Sequence, residues 1–541
     1  MAMRITTKMM QNTSLRNLNT NKARQELLTT QLSTGKKISR PSDDPVISIR
    51  SLKLNSSLTK IDQYYEKNAS DAESWIELTE SAIDTVNDIL VTVRQNINQA
   101  ATGHLEAKDR DSIMENLINS MTEIYSTGNA DSGGRSLFTG YRTDLPLVFK
   151  EDKFEKYSIT EQITNQVIDK ITYVATGPLK EISEGNFNTP EMKNATQYEV
   201  TTNDVFRIRL NYDNLDPVTE KLDEDGNPVT DADGNTVYEP DIVFEFGDFS
   251  EGGTTTKYSA SAGDIKVFES GTQEAYMAAI ENPDAMVYIA STGEILLGSN
   301  MKETLAALPA ETEMRVTYGK SNWEEGDLDP VHYFYTERTE EITGRTIEYN
   351  PEFLTEGYNP DSKQIIEYDI GNNQTLRVNT TADELFNHDM GRDVEEVVSM
   401  LNEYGVLDDN YLTIEAMIKS GNYTGDELTT LETQLDAIGK ARTMVGDKVQ
   451  KRCEALLTDC DGYIARTTLA ETNCGSRGSR LKLVKNRLNV QQTNFQELVS
   501  ENEDADYTDL AIQLKSVEMT YEAALSSIGY VMQTTLLDFI R

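Results

Sequence analysis

Histidine and cysteine are scarce in this chain, and their scarcity removes much catalytic chemistry. The 541 residues hold three of each: His104, His332 and His388, and Cys453, Cys460 and Cys474. No histidine stands in a His-Glu-x-x-His pattern, and no Cys/His cluster has zinc-site spacing. There is no G-x-x-x-x-G-K-S/T phosphate loop, and no G-x-G-x-x-G follows a strand pattern. Cys453 and Cys460 lie seven positions apart in a helical pattern, about 10 Å along a helix axis. A disulfide needs Cα atoms within about 7 Å, so buried, idle thiols are expected. Asp223, Asp225, Asp231 and Asp233 hint at calcium. An EF-hand loop, however, needs Gly at its sixth position, and here Gly226 comes too early. These segments read as hairpins. No catalytic residue, cofactor or metal is expected, and the chain reads as a non-enzyme.

Long apolar runs are missing too. No window approaches the eighteen or so apolar residues of a membrane span, and Met1 to Thr20 lack the apolar core of a secretory signal. Positive charge is in short supply. Lys plus Arg number 50 against 91 Asp plus Glu, a net charge of −41. Such a field disfavours nucleic acid and anionic membrane surfaces. The imbalance is uneven: residues 151–392 carry 48 acids and 18 bases, a net of −30, whereas the first 50 residues have a net of +6. An acidic middle facing bulk water and a basic tail packing on protein are expected.

What is present is helical periodicity at both ends. Leu58, Ile61, Tyr65, Ala72, Trp75, Ala82, Val86, Ile89, Val93 and Ala100 step by threes and fours, predicting one long amphipathic helix that Gly103 ends. Ile113, Leu117, Met121 and Ile124 predict a second helix, stopped at Thr127-Gly128-Asn129. A further helix is expected over roughly 426–470. Leu481, Val484, Leu488, Phe495 and Leu498 continue a seam up to the acidic break Glu501-Asn502-Glu503-Asp504. Beyond it, Leu510, Leu514, Val517, Tyr521, Ala524, Ile528, Val531 and Thr535 form a regular stripe. At the opposite end, Leu15, Leu18, Leu28 and Leu32 form a shorter stripe closed by Ser33-Thr34-Gly35. Arg40 to Pro45 then read as extended or turning backbone, since each proline disfavours helix before it.

The middle changes period. Val205–Leu210, Asp241–Phe246, Val331–Tyr335 and Gln364–Tyr368 read as strands, and Asp225-Gly226-Asn227 and Asp233-Gly234-Asn235 read as hairpin turns. The expected architecture is mainly α with an inserted β-rich region: a discontinuous helical bundle or coiled coil built from both chain ends. Three parts are expected: 1–45 with 500–541 as a terminal coiled coil, 46–150 with 393–499 as a helical core, and 151–392 as an acidic insert. If the insert faces outward and its ends lie together, it should tolerate deletion. The terminal stripes leave apolar surface that marks a protein–protein interface. Its candidate residues are Leu15, Leu18, Leu28, Leu32, Leu510, Leu514, Val517, Tyr521, Ile528 and Val531. An intracellular coiled-coil scaffold with an inserted β domain fits the same composition.

Both ends resemble the flagellin superfamily. The resemblance rests on Met3-Arg4-Ile5-Thr6, on Gln31 to Ile38 followed by Arg40-Pro41-Ser42-Asp43-Asp44-Pro45, on Ala101-Thr102-Gly103, and on Gly134 to Tyr141. At the far end it rests on Asn486-Arg487-Leu488, Glu503 to Tyr507 and Leu536 to Ile540. The signature positions are Ser33, Gly35, Pro41, Asp43, Asp44, Pro45, Phe138, Gly140, Asp504 and Asp506. Pro45, where filament flagellins continue with small residues, together with Phe138-Thr139-Gly140-Tyr141, resembles the hook-associated, hook–filament junction type. Filament or minor flagellin is the alternative. The resemblance implies a structural, secreted flagellar subunit, exported without a cleaved signal and escorted by an export chaperone. It implies as partners a hook-side hook-associated protein, flagellin, and copies of itself in a ring layer.

Overall fold

The computed structural model describes residues 7–102, 106–175, 181–195, 200–217, 219–220, 238–239, 242–250, 253–310, 312–339, 345–356 and 364–537. Met3 to Thr6, Gly103, His104, the two Asp-Gly-Asn turns and Asp538 to Ile540 lie outside them. Among the described residues the longer helices are α1 (Thr7–Thr34), α2 (Pro45–Asp62), α3 (Ala69–Ala100), α4 (Ala107–Thr127), α5 (His388–Lys419), α6 (Asp426–Glu503) and α7 (Tyr507–Leu537). The chain is mainly α with a β-rich insertion between α4 and α5. It divides into two compact units. One comprises 1–73, 368–376 and 479–541, and the other 74–367 and 377–478.

The first unit holds α1, α2 and α7. Asp44 caps α2, accepting from the amides of Val46 (2.9 Å) and Ile47 (3.2 Å), and Pro45 occupies the first turn where a missing N–H costs nothing. The expected single helix from Leu58 is interrupted by a π turn, Gln63–Asn68. The extra residue moves the buried seam from Asn68 to Ala69, because a π turn adds a position to the 3.6 repeat. Gln492 reaches back to Asp62 (2.9 Å) and Glu66 (3.0 Å) across this turn.

In the second unit α3 buries a wider face than the three–four stripe predicted. Ile76, Ile83, Leu90 and Ile97 are as deeply buried as Trp75, Val86 and Val93. This second row repeats every seven residues beside the first, so the helix has neighbours on two sides. The two helices expected over 426–498 are one helix, α6, of 78 residues. Gly478 lies within that helix and makes a close approach: a Cβ there would sit 3.3 Å from Ile76.

Among the described residues the insertion contains two large sheets and three two-stranded ones. The strands of the large sheets are β1 (Lys153–Ile163), β2 (Ile168–Ala175), β3 (Thr201–Arg209), β4 (Val243–Gly247), β5 (Thr255–Ser259), β6 (Ile265–Phe268), β7 (Met286–Ile289), β8 (Glu294–Leu297), β9 (Glu313–Trp323), β10 (Tyr335–Thr339) and β11 (Thr346–Tyr349). The six-stranded sheet runs β11-β10-β1-β9-β4-β5 and is antiparallel. The five-stranded sheet runs β6-β7-β8-β3-β2, with β6 and β7 parallel around the helix Gln273–Glu281. Trp323, Tyr157, Phe244, Ile208, Ile295 and Tyr318 share one buried cluster that joins the two sheets. The strand expected over Val331–Tyr335 is instead a 3-10 turn, Pro330–His332, followed by β10. Pro330 opens the turn, and the Asp329 carboxylate accepts from the Val331 amide at 3.1 Å, a local cap that outweighs the β-branched and aromatic run.

Candidate assembly site

The terminal stripes meet in the first unit. α1 ends at Gly35, whose φ is +71°. A Cβ there would lie 2.6 Å from the Tyr507 hydroxyl, so the backbone favours glycine and any side chain would also have to push the exposed tyrosine aside. From this turn the two chain ends are clasped. The Ala505 amide donates to the Gly35 carbonyl (2.9 Å) and the Lys37 amide to that of Glu503 (2.7 Å). Lys36 pairs with Glu503 (3.1 Å) and Asp504 (2.7 Å). Glu503 also accepts from Ser51 and from Asn55, the latter at 2.6 Å. The hydrogen bond from Ser51, with Lys36 and Asn55 adding to it against burial, holds the Glu503 carboxyl below its ordinary range. Lys36 and Ser500 do the same for Asp504, and Asp504 above all raises Lys36.

The signature residues divide into those with a visible local task and those without. Asp43 accepts from the amides of Arg40 (2.8 Å) and Ser39 (3.2 Å), closing the turn before α2. Asp506 caps α7 through the amides of Thr508 (2.8 Å) and Asp509 (3.2 Å). Ser33 and Pro41 are exposed, and nothing in the structure explains Ser33. Phe138 and Gly140 belong to the second unit. Phe138 is buried edge-on against Phe386, with ring centres 5.0 Å apart. Gly140 has φ +63°, and the Gln364 side chain lies where a Cβ would be.

Of the candidate interface residues, Leu28, Leu510 and Val517 are buried together, with Leu32 and Leu514 against them. Leu15 is 50% exposed. Leu18, Tyr521 and Ile528 are half-buried, and Val531 lies in α7 with its side chain outside those described. A second exposed apolar face was missed by the sequence reading. On α2, Val46 (76%), Ile49 and Leu52 face solvent. Their three-residue spacing lies beyond Leu32, where the N-terminal stripe ends. Lys36, Ser51 and Asn55 were missed as well, because their partner Glu503 is remote in sequence.

The cysteines of α6 are free and buried. Burial pushes the thiols of Cys453 and Cys474 up to about 11 and that of Cys460 to about 12, which leaves little thiolate. Among the described residues no group of three or more His, Cys, Asp or Glu could hold a metal ion, and no helix is long and apolar enough to cross a membrane.

Residues 5–143 match the bacterial flagellin N-terminal helical region. The chain is thus similar to flagellins over its N-terminal helices. It is 30% identical over 143 residues to flagellar hook-associated protein 3 of Salmonella typhimurium, covering 26% of this chain and 45% of that protein. To the Escherichia coli protein of the same name it is 28% identical over 166 residues, covering 30% and 52%. The chain thus spans about half the length of the curated relatives it matches. Solved structures similar to it include a putative flagellar hook-associated protein from Vibrio parahaemolyticus (12% identity, 85% of this chain and 100% of that one, TM-score 0.33). Another is FlgL of Xanthomonas campestris (10% identity, 83% and 99%, TM-score 0.28).

Proposed function

We propose that this chain is a non-enzymatic structural subunit of the bacterial flagellum that joins a hook-side hook-associated protein to the first flagellins. The observation that carries the reading is the clasp at Gly35–Lys37 and Glu503–Ala505, which pairs the chain ends in a protein whose relatives are named hook-associated protein 3. Around that clasp, exposed Leu15, Val46, Ile49 and Leu52 and half-buried Leu18, Tyr521 and Ile528 supply apolar surface for neighbouring subunits. A junction subunit needs two unlike faces, one for the protein below and one for flagellin above, with copies of itself alongside in a ring. The 1–45/500–541 coiled coil, the 46–150/393–499 core and the 151–392 insert are the corresponding functional division. Placement outside the cell, reached with an export chaperone and without signal cleavage, belongs to the same proposal.

Deleting the gene tests it. Hooks should remain intact while unpolymerised flagellin appears in the medium, and labelled protein should form a single band at the filament base. Normal filaments in the deletion strain, or long filaments grown from this protein alone, would replace the junction with a minor flagellin.

A further inference from the structure

One helical stretch runs against the charge of the whole chain. Between Glu471 and Glu497 stand five bases, Arg477, Arg480, Lys482, Lys485 and Arg487, and no acid, in a protein of net charge −41. All five lie on α6. Two are used internally. Arg477 donates to the Asn379 carbonyl (2.5 Å) and to Thr380 Oγ1 (2.8 Å), and Lys485 pairs with Glu73. The other three are exposed, and among the described residues none of them pairs with a carboxylate. Arg480 and Arg487 donate to neutral oxygens, the Thr375 carbonyl (3.5 Å) and the Gln374 side chain (2.5 Å).

The same face is apolar between its cations. Leu483 is 72% exposed and Val490 59%. Arg480, Leu483, Arg487 and Val490 follow one another by three, four and three positions, which places them on one side of the helix. Lys482 lies on the opposite flank of Leu483. Leu481, Val484 and Leu488 point the other way and are buried. The folded subunit thus leaves two apolar side chains in water beside cations that no carboxylate neutralises, a surface suited to an acidic protein partner. The negative field of the chain opposes nucleic acid and anionic membranes.

The chain carries the complement on α3. Glu77, Ser81, Asp84, Asp88 and Val91 recur at steps of four, three, four and three, and all are exposed. Among the described residues no cation pairs with Glu77, Asp84 or Asp88. Glu77 and Asp84 are seven residues apart, as are Arg480 and Arg487, about 10 Å along either helix, so two ion pairs can form together. The exposed α2 stripe is no complement, because Arg50 and Lys53 beside it carry the same sign as the α6 face. Within one protomer α3 and α6 meet through other sides, where the buried Cys474 thiol donates to the carbonyl of buried Ile76 at 3.6 Å. Both exposed faces are therefore left for a neighbour.

We infer that the Arg480, Leu483, Arg487 and Val490 face of α6 docks on the Glu77, Asp84, Asp88 and Val91 face of α3 in a second copy of this chain. The two faces are different surfaces, so the contact is head to tail. It closes into a ring or extends as a helix and does not stop at a pair. The inference is read from charge and exposure and does not rest on the junction reading.

Cross-linking of purified full-length protein tests it. Unlabelled and isotope-labelled copies are mixed at high concentration and low salt and treated with a carbodiimide, which joins an amine to a carboxylate in contact. The expected product links Lys482 to Glu77, Asp84 or Asp88 in peptides of mixed label, with a yield that falls as salt is added. Arg480→Glu with Arg487→Glu should weaken self-association in sedimentation at least about tenfold. Adding Glu77→Arg and Asp84→Arg to that protein should restore it, and all three proteins should melt alike. Absence of the mixed-label product, or unchanged association after the arginine reversal, would overturn the proposal. Loss on reversal without recovery in the four-residue variant would do so too, by assigning the basic face to a different acidic partner.

Discussion

Gly35 is where one residue decides most at the clasp. Its left-handed backbone costs an L-residue about 1–2 kcal/mol, and the Tyr507 hydroxyl fills the place of a Cβ. Gly35→Ala should therefore speed amide exchange at Ala505 and Lys37. Adding Tyr507→Phe should restore only the steric part, leaving the backbone cost. The neighbouring ion cluster has a defined pH window. Glu503 and Asp504 have folded values below their ordinary ones, so their contribution is complete above about pH 4.3 and 3.9 and is lost as pH falls through the lowered values. Lys36 is raised, so its contribution is complete below about pH 10.4 and is lost at higher pH. Hydrogen exchange, corrected for intrinsic rates, should show constant protection of Ala505 through neutral pH and opening in acid. Glu503→Gln should flatten that acid limb. These side chains are only half-buried, so water screens the charges and the effect at any one position is small.

At the level of elements, α1 and α7 share a small buried cluster among the described residues, Leu28, Leu510 and Val517. The free subunit should lose these helices first under limited proteolysis, while the fragment containing α3 to α5 survives. Val517→Asp removes about 1.5–3 kcal/mol of apolar burial and leaves an unpaired buried charge. Thermal melting of the second unit should be unchanged, and assembly into flagella should fail. The exposed stripe on α2 calls for the reverse experiment. Val46→Ser, Ile49→Ser and Leu52→Ser should each change monomer stability by no more than about 0.5 kcal/mol, yet together abolish assembly if this face meets a neighbour. Motile cells with normal filaments would remove α2 from the interface.

At the scale of the molecule, the second unit is tied together by buried charge. Arg209 of β3 and Arg452 of α6 each reach Asp393 of α5 at 2.6 Å, and Arg207 reaches Glu396 at 2.7 Å. Tyr463 donates to Asp393 at 2.5 Å. Burial alone would raise the Glu396 carboxyl, but Arg207, Arg452 and Arg209 outweigh it and hold it at about 2. Arg452→Met should destabilise this unit by about 1–3 kcal/mol, because it removes one of the cations that the buried Asp393 and Glu396 share while Arg207 and Arg209 stay in place. The wild-type contribution of Glu396, complete above about pH 4.3, should fade as pH falls toward 2. The insert is bound into the helices elsewhere too. The Asn410 side chain accepts from the Ile182 amide at 2.8 Å, and Gln434 donates to the Phe187 carbonyl at 2.8 Å. Replacing residues 151–392 with a short linker should therefore lower the melting temperature of the helices. These contacts leave no local pattern in the sequence, since Arg207, Asp393 and Arg452 are far apart in the chain.

The sequence by itself determined the class of architecture, because hydrophobic period is a local property. Threes and fours in Ile113 to Ile124 and Leu510 to Ile528, and alternation in Val205 to Leu210, depend on neighbours within a few residues. It also determined the helix stops at Gly35 and Gly128, where the residue type acts on the adjacent backbone. Tertiary structure decided everything that depends on who stands opposite. The π turn at Gln63–Asn68 shifts a seam to suit its packing. The Ile76–Ile97 row becomes core only because α3 has neighbours on two sides. Glu503 finds Lys36, Ser51 and Asn55, and Asp393 gathers Arg209 and Arg452, because folding cancels sequence separations that no local pattern records.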